Sequence, residues 1–135
     1  MQRRQKCYLS GRYSRREELQ GYGEELTKLG YEVGARWLTG AHEEGVYTKD
    51  KWAVWAYDDM DDVARAEIVV AFTEGGECRR GGRHVEFGMG LALGKALVVV
   101  GPIENIFHTL TPYHFKTWTE AKEWFWGQGP LVWAK

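Results

Sequence analysis

An α/β chain with a parallel sheet covered by helices on both faces is the fold class that this sequence predicts, on three observations. Two runs, IVVAFT (Ile68–Thr73) and ALVVVG (Ala96–Gly101), are continuously apolar, the pattern of strands buried on both faces. Segments with helical spacing of apolar residues alternate with strand-like runs along the whole chain. The turns that follow Leu9 and Thr73 are rich in glycine and arginine, as befits loops at the carboxyl edge of such a sheet. A sheet of about four to five strands flanked by helices in three layers, flavodoxin- or Rossmann-like, satisfies all three. Residues 1–135 are read as one domain.

The elements follow in order. KCYLSG reads as a short buried strand from Lys6 to Leu9. Ser14 is a candidate cap for a helix that places Leu19, Tyr22, Leu26 and Leu29 on one face, and Gly30 is its stop. YEVGARW reads as a second strand, and the polar stretch from Leu38 to Asp50 as a loop. A second helical passage starts at Lys51, with Asp58, Asp59, Asp61 and Asp62 read as acids at a helix start, where the macrodipole favours them. After the strand at Ile68 and the loop EGGECRRGGR comes a helix from about His84 to Gly94, apolar nearly all round, then the strand ALVVVG. TWTEAKEWFW closes the chain as a helix capped by Thr117 or Thr119.

Composition excludes some functions and leaves others open. A formal charge of −1 argues against general nucleic-acid binding. Seven tryptophans and seven tyrosines suit a filled core, an aromatic pocket or a self-association surface. Cys7 and Cys78 lack metal-ligand spacing and read as free thiols of a reducing compartment, so the cytoplasm is the expected location. No apolar run approaches the ~20 residues that span a bilayer, and MQRRQK is not followed by a signal-peptide core.

Three segments carry candidate chemistry. SGRYSRR, Ser10 to Arg16, puts backbone N–H groups at a helix start, a seat for an anion or a sugar hydroxyl, although it is neither a Walker A loop nor GxGxxG. Taken alone, the segment reads more simply as a tight βα turn with solvated arginines. Among the four aspartates, Asp59 stands where it projects toward the same loops. Glu86, in GGRHVEFGMGLALGK, places a carboxylate on an otherwise apolar helix, which demands a partner or a purpose, although its place near the first turn, where the macrodipole favours an acid, is a plain alternative. His42, His84, His108 and His114 are scattered and read as surface or loop histidines, and nothing suggests a metal cluster or a Ser-His-Asp framework. Two converging acids at the mouth of a parallel sheet suit glycosidic chemistry, one attacking the anomeric carbon and one assisting the leaving group.

With these motifs in place the chain resembles the nucleoside 2-deoxyribosyltransferase family, including its deoxynucleoside 5'-monophosphate N-hydrolase branch. CYLSGRYS, AYDDMDDVARAEIVVAF and GGRHVEFGMGLALGKALVVVG carry the likeness, in order, over most of the chain. The resemblance implies that Glu86 is the nucleophile of a covalent deoxyribosyl intermediate and Asp59 the acid that assists departure of the base. It implies a substrate site drawing on Tyr8, Ser10, Gly11, Arg12, Asp62, Gly82 and Arg83, with Gly82 and Arg83 beside the 5' end of the substrate. No cofactor and no metal are implied. The partners implied are a deoxynucleoside or deoxynucleotide, a free nucleobase and further copies of the chain, as a homodimer or larger assembly, with no nucleic acid and no membrane. Glu67 stands where the family has Asp, and the loop before Glu86 offers Arg79, Arg80 and Arg83 in place of a phosphate-binding serine. Asn105 is a candidate for the group that meets the 5'-hydroxyl. Tyr8, Tyr13, Trp37 and Trp55 are candidates to stack on a base.

Three functions stay open at this point: transfer of deoxyribose between bases, hydrolysis of a deoxynucleoside monophosphate through the same intermediate, and nucleotide binding without turnover.

Overall fold

The computed structural model describes residues 4–40, 48–75 and 81–128. Cys78, His42, Arg79 and Arg80 therefore lie outside the described residues.

Five parallel strands form one sheet in the order β2-β1-β3-β4-β5, with β1 at Lys6–Ser10, β2 at Glu32–Val33, β3 at Ile68–Phe72, β4 at Ala96–Val100 and β5 at Tyr113–Phe115. Helices α1 (Arg16–Lys28) and α4 (Trp118–Gly127) cover one face, and α2 (Lys49–Arg65) and α3 (Gly82–Ala92) the other. This is the three-layer α/β arrangement expected. Every residue of β3 and β4 is buried, as their unbroken apolar runs require.

The alternation of strand side chains decides what each face receives. Phe72 turns to the α1 and α4 side, where Tyr22 and Trp118 stack within 5.4 Å and 4.8 Å of their neighbours in a continuous aromatic layer. Val69 turns to the other side and meets α3 at Gly90, where an added Cβ would come within 2.9 Å of Val69 Cγ2. Gly90 thus lets α3 lie close against the sheet, one turn from Glu86. Tyr8 and Ser10, two residues apart on β1, point to that same face.

Several expectations are corrected. Ser14 is not a cap: it lies in a 3-10 turn, Tyr13–Arg15, and α1 begins after it without a side-chain cap. The second strand is only two residues long, and Trp37 belongs to a 3-10 turn, Arg36–Thr39, that buries its indole. The aspartates do not open a helix. Thr48 caps α2 by accepting from the Lys51 N–H, and the acids fall in the second half, where the macrodipole opposes them. Their compensation is a pair of arginines: Arg36 reaches Asp58 at 3.2 Å, Asp61 at 2.6 Å and Asp62 at 3.0 Å, and Arg65 reaches Asp61 at 3.0 Å. Nor is α3 apolar in the way a fully buried helix is, since Val85 is 63% exposed. Gly30 at φ +100° and Thr117, which accepts from the Glu120 N–H, stop α1 and start α4 as read from the sequence. No helix among the described residues is long and apolar enough to cross a membrane.

Candidate active site

In an open parallel sheet the order 2-1-3-4-5 sends consecutive connections in opposite directions from β1, and a crevice opens beyond the carboxyl ends of β1 and β3. A cavity of about 500 Å³ lies there. Its walls come from the β1–α1 turn (Gly11, Arg12, Tyr13, Ser14), from Trp37, from one side of α2 (Trp52, Trp55, Ala56, Asp59) and from the start of α3 (Gly81, Gly82, Arg83, Glu86).

Glu86 is held from below by β1. The Tyr8 hydroxyl donates to its Oε2 at 2.9 Å and the Ser10 hydroxyl to its Oε1 at 2.7 Å. Both donors are fully buried, so neither exchanges its partner for water without loss. Period two along the strand sets both on one face, and the carboxylate of α3 settles between them. Asp59 completes the arrangement from α2. Burial pushes its carboxyl up to about 8, helped by the negative charges of Glu86, Asp62 and Asp58 and opposed by Arg36. Burial also raises Glu86 to about 7, against the hydrogen bonds of Ser10, Tyr8 and Asp59 that favour its charged form. Burial and the adjacent Glu86 raise the Tyr8 phenol well above its usual value, so it stays a donor. Desolvation thus favours the protonated form of both carboxyls, while the Tyr8 and Ser10 hydroxyls favour charge on Glu86.

The structure brings most of the sequence-derived candidates together. Glu86, Asp59, Gly11, Arg12, Gly82 and Arg83 line the cavity, and Tyr8 and Ser10 form its floor through Glu86. Asp62 does not line it. Its carboxylate is buried and spent on Arg36, accepting from the backbone N–H at 2.8 Å and from Nε at 3.0 Å. Arg12 is paired with Glu74, and Arg83 with Glu104 at 2.6 Å. Tyr13 and Trp37, with ring centres 6.4 Å apart, and Trp55 supply the aromatic wall expected; Trp37 is itself fixed by donating to the Leu9 carbonyl at 2.9 Å. Asn105 does not line the cavity but caps the 3-10 turn Ile106–Leu110 and meets His84. His108, read as a surface or loop residue, is buried edge-on against Phe87 at 4.7 Å.

Trp52 and Glu104 escaped the sequence reading. Trp52 carried a signal, since it stands three, four and seven residues before Trp55, Ala56 and Asp59, the spacing of one helix face. Glu104 carried none: only the fold brings it to Arg83.

No protein-family model matches the sequence, and no curated protein matches it. Among solved structures the chain is similar to a 2-deoxyribosyltransferase from Bacillus psychrosaccharolyticus, with a TM-score of 0.71 and 18% identity over 87% of this chain and 90% of that one. It is also similar to a CMP N-glycosidase of Clostridium botulinum, with a TM-score of 0.58 and 17% identity over 88% of this chain and 96% of that one. At these identities the likeness is one of fold.

A carboxyl that stays protonated in the folded protein gives a stability prediction with a definite sign. Between 3.8 and about 8 the folded state binds a proton at Asp59 that the unfolded chain releases, so stability falls as pH rises through that window. Asp59→Asn removes the penalty. Its melting temperature should exceed the native protein's by about 5 °C at alkaline pH, the equivalent of about 2 kcal/mol after allowing for solvent at the cavity mouth, and the difference should vanish in acid. Thermal denaturation across this pH range measures it, and a difference independent of pH would contradict the assignment.

Proposed function

We propose that the chain cleaves the N-glycosidic bond of a 2'-deoxynucleoside and transfers the sugar to another nucleobase, as a member of the nucleoside 2-deoxyribosyltransferase family. The observation that carries this reading is Glu86, held by the Tyr8 and Ser10 hydroxyls, standing with Asp59 in an aromatic-walled cavity. The two structural neighbours, a 2-deoxyribosyltransferase and a CMP N-glycosidase, support the same bond as the target.

The steps follow from the residues. Glu86, ionised and steadied by Tyr8 and Ser10, attacks C1' of the sugar. As the bond to the base breaks, Asp59 gives up its proton to the departing nitrogen, and a deoxyribosyl ester of Glu86 remains. An incoming base then attacks C1', its N–H proton passing to Asp59, while Glu86 leaves as carboxylate. Two inversions at C1' restore the β configuration. Tyr13, Trp37, Trp52 and Trp55 offer flat apolar surfaces for a base.

A second reading has water take the place of the incoming base, with a deoxynucleoside 5'-monophosphate as substrate. The two guanidinium groups at the cavity, Arg12 and Arg83, favour it, as does the CMP N-glycosidase neighbour.

The assembly belongs to the same proposal. Trp52, Val54, Tyr57 and Met60 on α2 are between 41% and 71% exposed, and Val85 on the adjacent α3 and Leu93 just past its end are more than half exposed. Two neighbouring helices with apolar outer faces suit a second copy related by a two-fold axis. Since Trp52 belongs both to this face and to the cavity wall, the second copy would border the substrate. Sedimentation should show a dimer or larger species, and Tyr57→Glu with Met60→Glu should dissociate it. A native chain that sediments as a monomer at micromolar concentration would overturn the interface.

Incubation with deoxyadenosine and free cytosine should yield deoxycytidine, with deoxynucleoside monophosphates assayed in parallel. Free base without a new nucleoside would select the hydrolase, and binding without turnover a sensor. Glu86→Ala should lower kcat/KM by roughly 10³ or more, because the covalent route is lost. The native profile should rise to about pH 7 as Glu86 ionises and fall above about pH 8 as Asp59 loses its proton. Near-native turnover by Glu86→Ala would refute the nucleophile.

A further inference from the structure

Arg83 and Glu86 are three residues apart on α3, the separation at which an arginine and a glutamate ordinarily pair along a helix. They do not. Arg83 turns instead to Glu104, which follows β4: Nη2 meets Oε2 at 2.6 Å and Nε meets Oε1 at 3.3 Å, with both side chains less than a tenth exposed. The segment that carries Glu104 is bound to the same stretch of α3 at two further points. Asn105 contacts His84 at 3.2 Å, and His108 lies edge-on to Phe87. His108 is in turn fixed by accepting the Glu104 N–H at its Nδ1, at 3.1 Å, which requires the unprotonated nitrogen that burial favours. Residues 83, 84 and 87, on either side of Glu86, are thus each gripped by the segment after β4.

We propose that Glu104 is a positioning residue for the reaction: by holding Arg83 it keeps that guanidinium off Glu86 and leaves the carboxylate free to attack a sugar. The catalytic meaning of this device rests on the function proposed above; the capture of Arg83 does not. An arginine paired with Glu86 would occupy an oxygen and withdraw charge from it. Among the described residues, the other groups facing Glu86 are Tyr8 and Ser10 from β1, Arg12 from the β1–α1 turn, held by Glu74, and Asp59 from α2, with Asp58, Asp62 and Arg36 behind it. Arg83 is therefore the cation on Glu86's own helix that release would turn toward it.

The test compares the native chain with Glu104→Gln and with the double variant Arg83→Gln, Glu104→Gln. Carboxyl carbon NMR of Glu86 gives its titration midpoint without reference to activity, and kcat/KM on a deoxynucleoside is followed against pH in parallel. Glu104→Gln should lower the midpoint and the acid limb by about one pH unit and reduce kcat/KM at neutral pH about ten-fold. The double variant, which leaves no buried charge unpaired, should return the midpoint to its native position. If Glu104→Gln does not fold, the double variant decides. A midpoint in it well below the native one contradicts the proposal, because no arginine remains to cause the shift. An unshifted midpoint in folded Glu104→Gln also overturns the inference, whatever the activity. A shifted and rescued midpoint in a protein that turns over no deoxynucleoside or monophosphate upholds the capture of Arg83 and removes the glycosyl-transfer reading instead.

Discussion

The structure is organised around one carboxylate that is held without being neutralised. Tyr8 and Ser10 give Glu86 two hydrogen bonds from fully buried hydroxyls, yet no cation is placed on it by any described residue. Neutral donors fix geometry and favour charge; a salt bridge would do the same while neutralising the carboxylate. Each arginine at the cavity is instead paired with a carboxylate of its own, Arg12 with Glu74 and Arg83 with Glu104, and Arg36 behind the cavity with Asp58, Asp61 and Asp62. From α2 another acid, Asp59, meets Glu86, and two acids so close do not both ionise freely.

That arrangement opposes stability. A half-buried acid pair costs free energy that the two apolar strands β3 and β4 and the aromatic layer of Tyr22, Phe72 and Trp118 offset from elsewhere in the fold. The close seating of α3 at Gly90 belongs to the same design, since Glu86 reaches the hydroxyls of β1 only because its helix lies against the sheet.

How much of this was legible in the sequence depended on how local the cause was. Strands β3 and β4 announced themselves because burial on both faces needs no partner to be recognised. Gly30 and Thr117 were legible because a left-handed stop and a hydroxyl cap act within a few residues. The acids of α2 were misplaced at a helix start because a run of aspartates looks the same whether a dipole or an arginine compensates it, and Arg36 is more than twenty residues away in sequence. Asp62 was expected at the substrate from the family resemblance; only the fold shows its carboxylate turned to Arg36. β5 went unmarked because Tyr113–Phe115 is short, lies at the sheet edge and has no buried residue. Glu86 drew attention as a carboxylate on a helix otherwise nearly all apolar, whereas Asp59 was singled out from its run of aspartates by the family resemblance.

The covalent role proposed for Glu86 is tested most directly by its mass. The chain would be mixed with a deoxynucleoside in the absence of an acceptor base, quenched in acid within one turnover, digested and analysed by mass spectrometry. The peptide containing Glu86 should carry the increment of one deoxyribosyl group, and the Glu86→Gln chain should carry none. Turnover with no label, or a label on any other residue, would contradict the account.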